Sequence, residues 1–231
     1  AASSQSLTSG TSLQSGLIGH WAFDGVDITA NAILDKSGSG YHGGYLGGST
    51  SSAKTIGKLG QALKFNATKF NAGDINAMDG LTAISVATWI RARSPGINVG
   101  NFPTIVGKGT CAASNGPFYL YTGGGNAEII MIDSVDASHG SGGSSTYVDD
   151  GNWHFIVGQY DGNTITIWVD GVQENSDTEG AFTLASTANH FEIGGDCNGA
   201  FRWYYGSIDD TRVYNRALSA SEIKQLYNLG R

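Results

Sequence analysis

Two adjacent aspartates, Asp209 and Asp210, interrupt a strand-like segment near the end of the chain, residues 205–214. The alternation of side chains slips at this pair, which predicts a bulge that re-aims one of the two carboxylates. Crowded carboxylates repel each other unless a cation lies between them or one carries a proton, and oxygen ligands of this kind suit Ca²⁺. The alternative is that Asp210 pairs with Arg212 or Arg216.

Clustered aromatic side chains offer a second kind of chemistry, the binding of sugars. A ring face packs against the C–H surface of a sugar, while carboxylates and amides take its hydroxyl groups. Residues 201–205 form such a cluster, because strand alternation cannot hide five consecutive side chains in a core. For any single ring, packing inside the fold is the alternative. The candidate ligand-binding residues are Trp203, Tyr204, Tyr205, Tyr119, Tyr121 and Trp168.

Signals for catalysis are weak. The segment 128–133 is similar to the Glu-x-Asp-x-x-Glu strand of jelly-roll glucanases, but Ile130 stands at the place of the middle carboxylate. Glu128 and Asp133 are five positions apart and point to opposite faces of a strand, whereas a retaining glycosidase needs two carboxyls about 5 Å apart on one face. The five histidines show no HExxH spacing, and no G-x-S-x-G or C-x-x-C motif occurs. We therefore predict no catalytic residues and no enzymatic activity.

The composition favours many short strands. The chain has 35 glycines, only 3 prolines and 14% charged residues, yet 10 tyrosines, 9 phenylalanines and 5 tryptophans. Strand-like segments recur along the sequence, with turn signals such as Asp170-Gly171 between them. The predicted fold is all-β, a two-sheet antiparallel sandwich with jelly-roll connections.

A short helix is predicted at the C-terminal end of the sequence. Ser219 with Glu222 forms a capping box, and Gly230 supplies a stop signal. The apolar residues between them, Ile223, Leu226 and Tyr227, fall on one helical face.

Net charge and cysteine content indicate which partners and which cellular compartment suit the chain. The net charge of −7 opposes binding to nucleic acid and to anionic membranes, and no apolar run is long enough for a membrane span. Cys111 and Cys197 both lie in turn-like sequence, and a disulfide between them would span 86 positions, from 111 to 197, and contribute about 4 to 5 kcal/mol. Two free thiols in a cytosolic protein are the alternative; the low-charge, Ser/Thr/Gly-rich sequence favours an exported one.

Residues 1–15 are polar and aperiodic, which predicts a flexible arm or linker before one domain over residues 16–231. Three segments of that domain, residues 16–25 with the loop after them, 149–173 and 206–223, together resemble the bacterial laminin-G-like, concanavalin A-like jelly-roll family. The resemblance covers nearly the whole chain after residue 15.

This resemblance implies that the first and last strands are neighbours and that a structural calcium lies near Asp24, Asp35 and Asp209. In the alternative to the calcium site, Asp24 caps a turn. The resemblance further implies a non-catalytic recognition module outside the cell, binding a glycan or cell-surface protein as part of a larger surface or secreted protein. A polysaccharide hydrolase or lyase, or a structural spacer in a surface protein, remains the alternative.

Overall fold

A computed structural model describes residues 12–29, 32–98, 102–109, 116–195 and 202–231. Fifteen strands and two α-helices occur in these ranges. The strands are β1 (Leu17–Trp21), β2 (Gly44–Leu46), β3 (Lys54–Ile56), β4 (Gln61–Phe65), β5 (Lys69–Asn71), β6 (Ile84–Ala92), β7 (Thr104–Lys108), β8 (Phe118–Gly123), β9 (Asn126–Ile132), β10 (Ser138–Gly140), β11 (Trp153–Tyr160), β12 (Thr164–Val169), β13 (Val172–Thr178), β14 (Phe191–Ile193) and β15 (Gly206–Tyr214). The helices are α1 (Thr50–Ala53) and α2 (Ala220–Leu229).

The strands form two antiparallel sheets that pack face to face. The eight-stranded sheet has the order β13-β12-β11-β6-β15-β4-β3, and β1 also pairs with β15. The seven-stranded sheet has the order β10-β9-β8-β7-β14-β5-β2. The predicted all-β, two-sheet antiparallel sandwich with a short C-terminal helix is therefore confirmed.

Strand periodicity sorts the apolar side chains into layers. In β6, Ile84, Val86 and Ile90 are buried in the main core between the sheets. The alternate residue Trp89 faces outward, where it joins a second apolar cluster with Phe155. Helix α2 packs against this outer cluster, and Phe155, Tyr214, Ile223 and Leu226 are buried there.

The sequence marks both ends of α2. The Ser219 Oγ accepts a hydrogen bond from the Glu222 backbone N–H at 3.3 Å, and the Glu222 carboxylate accepts one from the Ser219 N–H at 2.9 Å. This is the predicted capping box, and the helix ends before Gly230 as expected.

The last strand, β15, lies between β6 and β4 and also pairs with β1 along its second half. The prediction that the first and last strands are neighbours is therefore confirmed. Its register against β6 shifts between Asp209 and Arg212, and Asp210 has a φ of +47°. The Asp210 carboxylate accepts two hydrogen bonds from the Arg212 guanidinium, each 3.1 Å long. Both the predicted bulge and the pairing of Asp210 with Arg212 are thus present.

Some predictions fall outside the described residues. These are Cys111 and Cys197, with the bridge predicted between them, and the arm up to residue 11. At the end of the arm, Ser12–Gln14 form one 3-10 turn, in which Leu13 packs against the outer apolar cluster. No helix within the described ranges is long and apolar enough to span a membrane.

Candidate functional site

The outer face of the seven-stranded sheet carries a polar and aromatic group on the β8–β9 hairpin. Leu120 and Ile129 point into the core, so their neighbours Tyr121 and Glu128, which pair across the two strands, point outward. The Tyr121 hydroxyl donates a 2.6 Å hydrogen bond to Glu128 Oε2. Burial, followed by this hydrogen bond and the charge of Glu128, raises the pKa of the Tyr121 phenol, which therefore stays a hydrogen-bond donor at neutral pH.

Phe102 extends this group toward solvent. Its ring packs edge-on against Tyr121, with a centroid distance of 5.6 Å and an interplanar angle of 77°. Phe102 is 54% exposed, so part of its ring is open to solvent. The guanidinium of Arg202 lies over the same ring, 6.0 Å from its centroid. An exposed aromatic face, a carboxylate and a guanidinium thus lie side by side.

Trp203 joins the group from the segment that precedes β15. It forms a parallel bridge with Thr104, which in turn pairs with Tyr121. The Thr104 N–H also donates a 2.9 Å hydrogen bond to the Arg202 carbonyl oxygen. The indole is only partly buried and packs so closely against Gly195 that a Cβ there would lie 2.6 Å from it.

We call Phe102, Tyr121, Glu128, Arg202 and Trp203 the rim cluster. Phe102 and the partly buried Trp203 can offer ring surface to the C–H groups of a sugar, while Tyr121 is only 7% exposed. Glu128 and Arg202 are charged groups that can form strong hydrogen bonds to hydroxyls. The ligand-binding residues predicted from the sequence include Tyr121 and Trp203, and the predicted aromatic segment contains Arg202. Phe102 and Glu128 were not predicted, because only the sheet register brings these two residues to Tyr121.

The carboxylate pattern of this face differs from that of a retaining glycosidase. Ile130 follows Glu128 on the outer face and belongs to a small apolar cluster there. Asp133 lies beyond the end of β9, where it accepts hydrogen bonds from the Val135 and Ala137 N–H groups and lies 3.2 Å from the imidazole of His139. Asp133 therefore holds a turn.

Farther along the same face, the charged side chains neutralise one another. The buried ammonium of Lys108 lies 2.9 Å from Asp74 and 2.6 Å from Asp79. Lys69 lies 2.6 Å from Glu192. Lys108 thus ties β7 to the segment that follows β5, and Lys69 ties β5 to β14.

The remaining predicted aromatics lie elsewhere. Tyr204 is 1% exposed and is packed in the main core, so its ring cannot contact a ligand at the surface. Trp168 packs against the outer cluster of the other sheet, beside α2. Tyr205 is partly buried, with the Arg93 guanidinium 5.5 Å from its ring centroid. None of these three belongs to the rim cluster.

Asp35 is satisfied by hydrogen-bond donors. Its two oxygens accept bonds from the backbone N–H groups of His20, Ser37 and Tyr41, and from the Ser37 hydroxyl, at 2.8 to 3.0 Å. These bonds fold the glycine-spaced loop that follows Asp35. N–H groups cannot coordinate a cation, so Asp35 acts here as the organiser of its own loop.

Asp24 and Asp209 both reach the turn between β3 and β4. Asp24 Oδ1 accepts from the Gln61 N–H at 2.9 Å, and Asp209 Oδ2 accepts from the Lys58 and Leu59 N–H groups at 2.8 Å. Asp209 is fully buried, and its Oδ1 has no hydrogen-bond partner.

The pKa of Asp209 reflects this environment. Burial raises it to about 7, and the charges of Asp210 and Asp24 act in the same direction. A proton or a cation at Oδ1 would relieve the cost of this buried charge. Among the described residues, no three His, Cys, Asp or Glu side chains are grouped to hold a metal ion.

Comparison with known proteins gives a family and a set of similar folds. A family model described as "Concanavalin A-like lectin/glucanases superfamily" matches residues 64–224. No curated protein matches the chain.

Three solved structures illustrate the structural similarity. The binding domain of Paraclostridial Mosquitocidal Protein 1 has a TM-score of 0.70 and 16% identity, covering 94% of this chain and 52% of that one. Domain 4 of AbnA, an extracellular arabinanase from Geobacillus stearothermophilus, in complex with arabinotriose, has a TM-score of 0.68 and 20% identity, with 93% and 98% covered. The receptor binding domain of botulinum neurotoxin D has a TM-score of 0.66 and 17% identity, with 94% and 53% covered. The chain thus spans about half the length of these toxin domains.

Proposed function

The chain belongs to the concanavalin A-like lectin/glucanase superfamily, and on that premise we propose that it is a non-catalytic module that binds carbohydrate at the rim cluster. One observation carries the proposal: the exposed ring of Phe102 lies beside the hydrogen-bonded Tyr121–Glu128 pair and under the Arg202 guanidinium. A module of this kind works outside the cell, as part of a larger secreted or surface protein.

Several features support a binding role. Aromatic rings at the mouth of a β-sandwich bind sugars with little loss of conformational entropy, because few torsions have to be fixed. Glu128 and Arg202 can form charge-assisted hydrogen bonds to hydroxyl groups, which orient the bound sugar. The AbnA domain bound to arabinotriose is a carbohydrate complex on the same fold, and the toxin relatives are binding domains.

The test is binding of the folded protein to a glycan array, followed by calorimetry with arabinotriose and the best array ligands. We expect Trp203→Ala and Glu128→Gln to weaken binding about tenfold or more, as the loss of a ring contact or a charged hydrogen bond should. Tyr227→Ala is the control, since Tyr227 stacks on Trp89 under α2, on the opposite sheet. If no glycan on the array binds, or if wild type and rim variants bind with equal affinity, the proposal is contradicted and a structural spacer is favoured.

An activity assay separates this proposal from the hydrolase or lyase alternative. Reducing ends and unsaturated sugars are measured on a polysaccharide panel with wild type and Glu128→Gln. We expect the two proteins to give the same background. Turnover by the wild type that disappears in Glu128→Gln would show that Glu128 is catalytic.

A structural Ca²⁺ is a separate proposal. Asp209 supports it, because a cation at Oδ1 would compensate an otherwise unpartnered, buried carboxylate oxygen. Asp24 is the second carboxylate on the same turn, and backbone carbonyl groups would have to supply most other ligands, since Ca²⁺ takes six to eight oxygens. Asp35 does not fit as a third ligand while its oxygens face N–H donors. Melting in calcium and in chelator tests the site.

Export and the disulfide are proposed together. An extracellular protein keeps Cys111 and Cys197 oxidised, whereas cytosolic thiols stay reduced. Thiol titration of protein purified without reductant and then denatured distinguishes the two cases. We expect no free thiol; two free thiols would contradict the disulfide.

A further inference from the structure

A cleft of about 410 Å³ opens on the outer face of the eight-stranded sheet, away from the rim cluster. Three of its lining residues come from neighbouring strands and form a row, in which Lys64 of β4 pairs with Ser207 of β15 and Ser207 with Arg91 of β6. Arg91 in turn pairs with Trp153 of β11, which continues the row beyond the lining of the cleft. Directly paired residues point to the same face, so these four side chains form a continuous strip across the sheet. Strand spacing places Lys64 and Arg91 about 10 Å apart.

Arg93 and Asn66 complete the lining at the end of the strip. The Arg93 guanidinium donates a 2.8 Å hydrogen bond to Asn66 Oδ1. We call the residues Lys64, Asn66, Arg91, Arg93 and Ser207 the basic cleft. On the next part of the face Trp89 is buried in the outer apolar cluster with α2, and Trp153 packs against that cluster at the end of the strip. Lys64 is exposed and Arg91 partly exposed.

The three cations of the basic cleft have no carboxylate partner among the residues that the structure describes. Within the described ranges, no ion pair involves Lys64, Arg91 or Arg93. This concentration of positive charge is notable in a chain with 13 basic and 20 acidic residues. Repulsion between like charges around one cleft costs stability unless an anion occupies it.

The carboxylates in the segment before β11 are already engaged. Asp149 binds both the backbone N–H and the side-chain amide of Asn98, at 2.7 and 2.9 Å. Asp150 accepts from Asn152 and contacts the His154 imidazole at 3.1 Å. Among the described ion pairs, neither carboxylate is paired with Lys64, Arg91 or Arg93.

Aromatic rings hold the two guanidinium groups in place. Arg91 lies over Trp153, 5.0 Å from the ring centroid, and Arg93 lies over Tyr205, 5.5 Å from its centroid. Stacking fixes the plane of a guanidinium and leaves N–H groups at its edge available to an oxyanion. Less entropy is therefore lost when a ligand binds.

We propose that the basic cleft binds an acidic saccharide, whose carboxylate or sulfate group is taken by the guanidinium groups of Arg91 and Arg93. The cleft volume falls in the range of small-molecule sites, and its size favours one or two sugar rings over a long polyanion. The Ser207 hydroxyl and the Asn66 amide provide neutral hydrogen-bonding groups for the sugar hydroxyls. Lys64 adds a point charge at the far end of the strip.

The test is calorimetric titration of the whole chain with four probes: trigalacturonate, a sulfated heparin disaccharide, a neutral xylotriose and sodium sulfate alone. We expect one of the two acidic saccharides to bind, with an affinity that falls as salt is raised, and sodium sulfate to bind much more weakly. Stronger binding of trigalacturonate would identify the preferred oxyanion as carboxylate, and stronger binding of the heparin disaccharide would show that sulfate groups add to the affinity. Absence of binding by both acidic saccharides would overturn the proposal.

Variants locate the binding. Arg91→Gln and Lys64→Gln should each lower the affinity for the acidic saccharide about tenfold, which is the usual effect of removing a charged hydrogen bond. Arg231→Gln is the matched control, because Arg231 also lies over an aromatic ring, Tyr227, but outside the cleft. Lys64 is exposed, so Lys64→Gln tests the cleft without disturbing the core.

Two outcomes separate this site from the rim cluster. If the basic cleft binds independently, Trp203→Ala leaves the affinity for the acidic saccharide unchanged, and Lys64→Gln leaves any neutral glycan binding unchanged. Equal affinity of wild type, Arg91→Gln and Lys64→Gln for the acidic saccharide would place its binding elsewhere and overturn the proposal.

Discussion

The Nε2 atom of His20 on β1 lies 2.5 Å from Oδ1 of Asp210 on β15, although 190 positions separate the two residues. The carboxylate therefore joins the first and last strands of the described fold, and it also binds Arg212 of its own strand. Burial alone would raise the pKa of Asp210, but the contacts with His20 and Arg212 outweigh burial and lower it. The β15 bulge makes this possible, because it turns Asp210 out of the regular alternation.

The first prediction concerns this contact. Asp210→Asn should lower the free energy of unfolding by about 3 kcal/mol, because it leaves the mostly buried Arg212 without its counter-charge. Urea unfolding at neutral pH measures the change. Asp136→Asn is the matched control: Asp136 also has a positive φ, +64°, but is exposed. Equal unfolding midpoints for both variants would show that the contact adds no stability.

The second prediction concerns Asp209 and calcium. Because the pKa of Asp209 is raised to about 7, the native state binds a proton that the unfolded state releases near pH 4, and stability falls as pH rises across this interval. In chelator at pH 8, Asp209→Asn should therefore melt a few degrees higher than wild type.

Calcium should reverse this order. If Ca²⁺ binds at Asp209, calcium raises the melting temperature of wild type, since a ligand of the native state stabilises it, and leaves Asp209→Asn unchanged. Wild type that melts at the same temperature in calcium and in chelator would contradict the calcium site. Asp177→Asn, on the exposed edge strand β13, is the control for the change in net charge.

The third prediction concerns His154, which lies 2.9 Å from Asp170 and 3.1 Å from Asp150. Burial lowers its pKa, but the two carboxylates outweigh burial and raise it above the usual value of 6.5. The protonated histidine is thus stabilised in the fold, and its contribution is complete below pH 6.5 and lost as pH rises through the folded pKa.

Melting curves between pH 6 and pH 9 test whether His154 makes stability fall as pH rises. His154→Gln should reduce the loss of stability between pH 6 and pH 9 relative to wild type, whereas the exposed-site variant His190→Gln should follow wild type. Parallel curves for His154→Gln and wild type would show that His154 does not contribute to the pH dependence.

The fourth prediction uses Gly195 to move Trp203 without changing a rim residue. A Cβ at position 195 would lie 2.6 Å from the indole, so Gly195→Ala should displace the ring. We expect a shift in tryptophan fluorescence and weaker binding of any rim ligand, with the melting temperature close to that of wild type. Gly180→Ala, where the added Cβ meets nothing within 4 Å, controls for the methyl group, although its φ of +81° adds some strain. An unchanged spectrum and affinity would show that Trp203 is not constrained by this contact.

Local signals were enough to predict much of the fold. The capping box of Ser219 and Glu222 is a contact between neighbours in sequence, and the slipped alternation at Asp209 is visible in the strand pattern itself. The glycine-rich, aromatic-rich composition was sufficient for the class of fold. Each of these features depends on residues close together in the chain.

The binding surfaces depend on register between distant strands. The strip from Lys64 to Trp153 exists only because β4, β15, β6 and β11 align in one register, and nothing in the four separate segments marks it. In the same way, an exposed ring at Phe102 has no local sequence signal. The packing of Trp153 and Trp168 against the apolar cluster at α2 likewise depends on contacts between distant segments.

The position of β15 also bears on how the chain acquires its structure. β15 fills the gap between β6 and β4, yet it follows them by more than 110 residues. During synthesis, the facing edges of β4 and β6 stay unpaired until β15 (Gly206–Tyr214) has left the ribosome. The central strand of the eight-stranded sheet is thus added late, and we expect any product truncated before Gly206 to expose these unpaired strand edges and to aggregate.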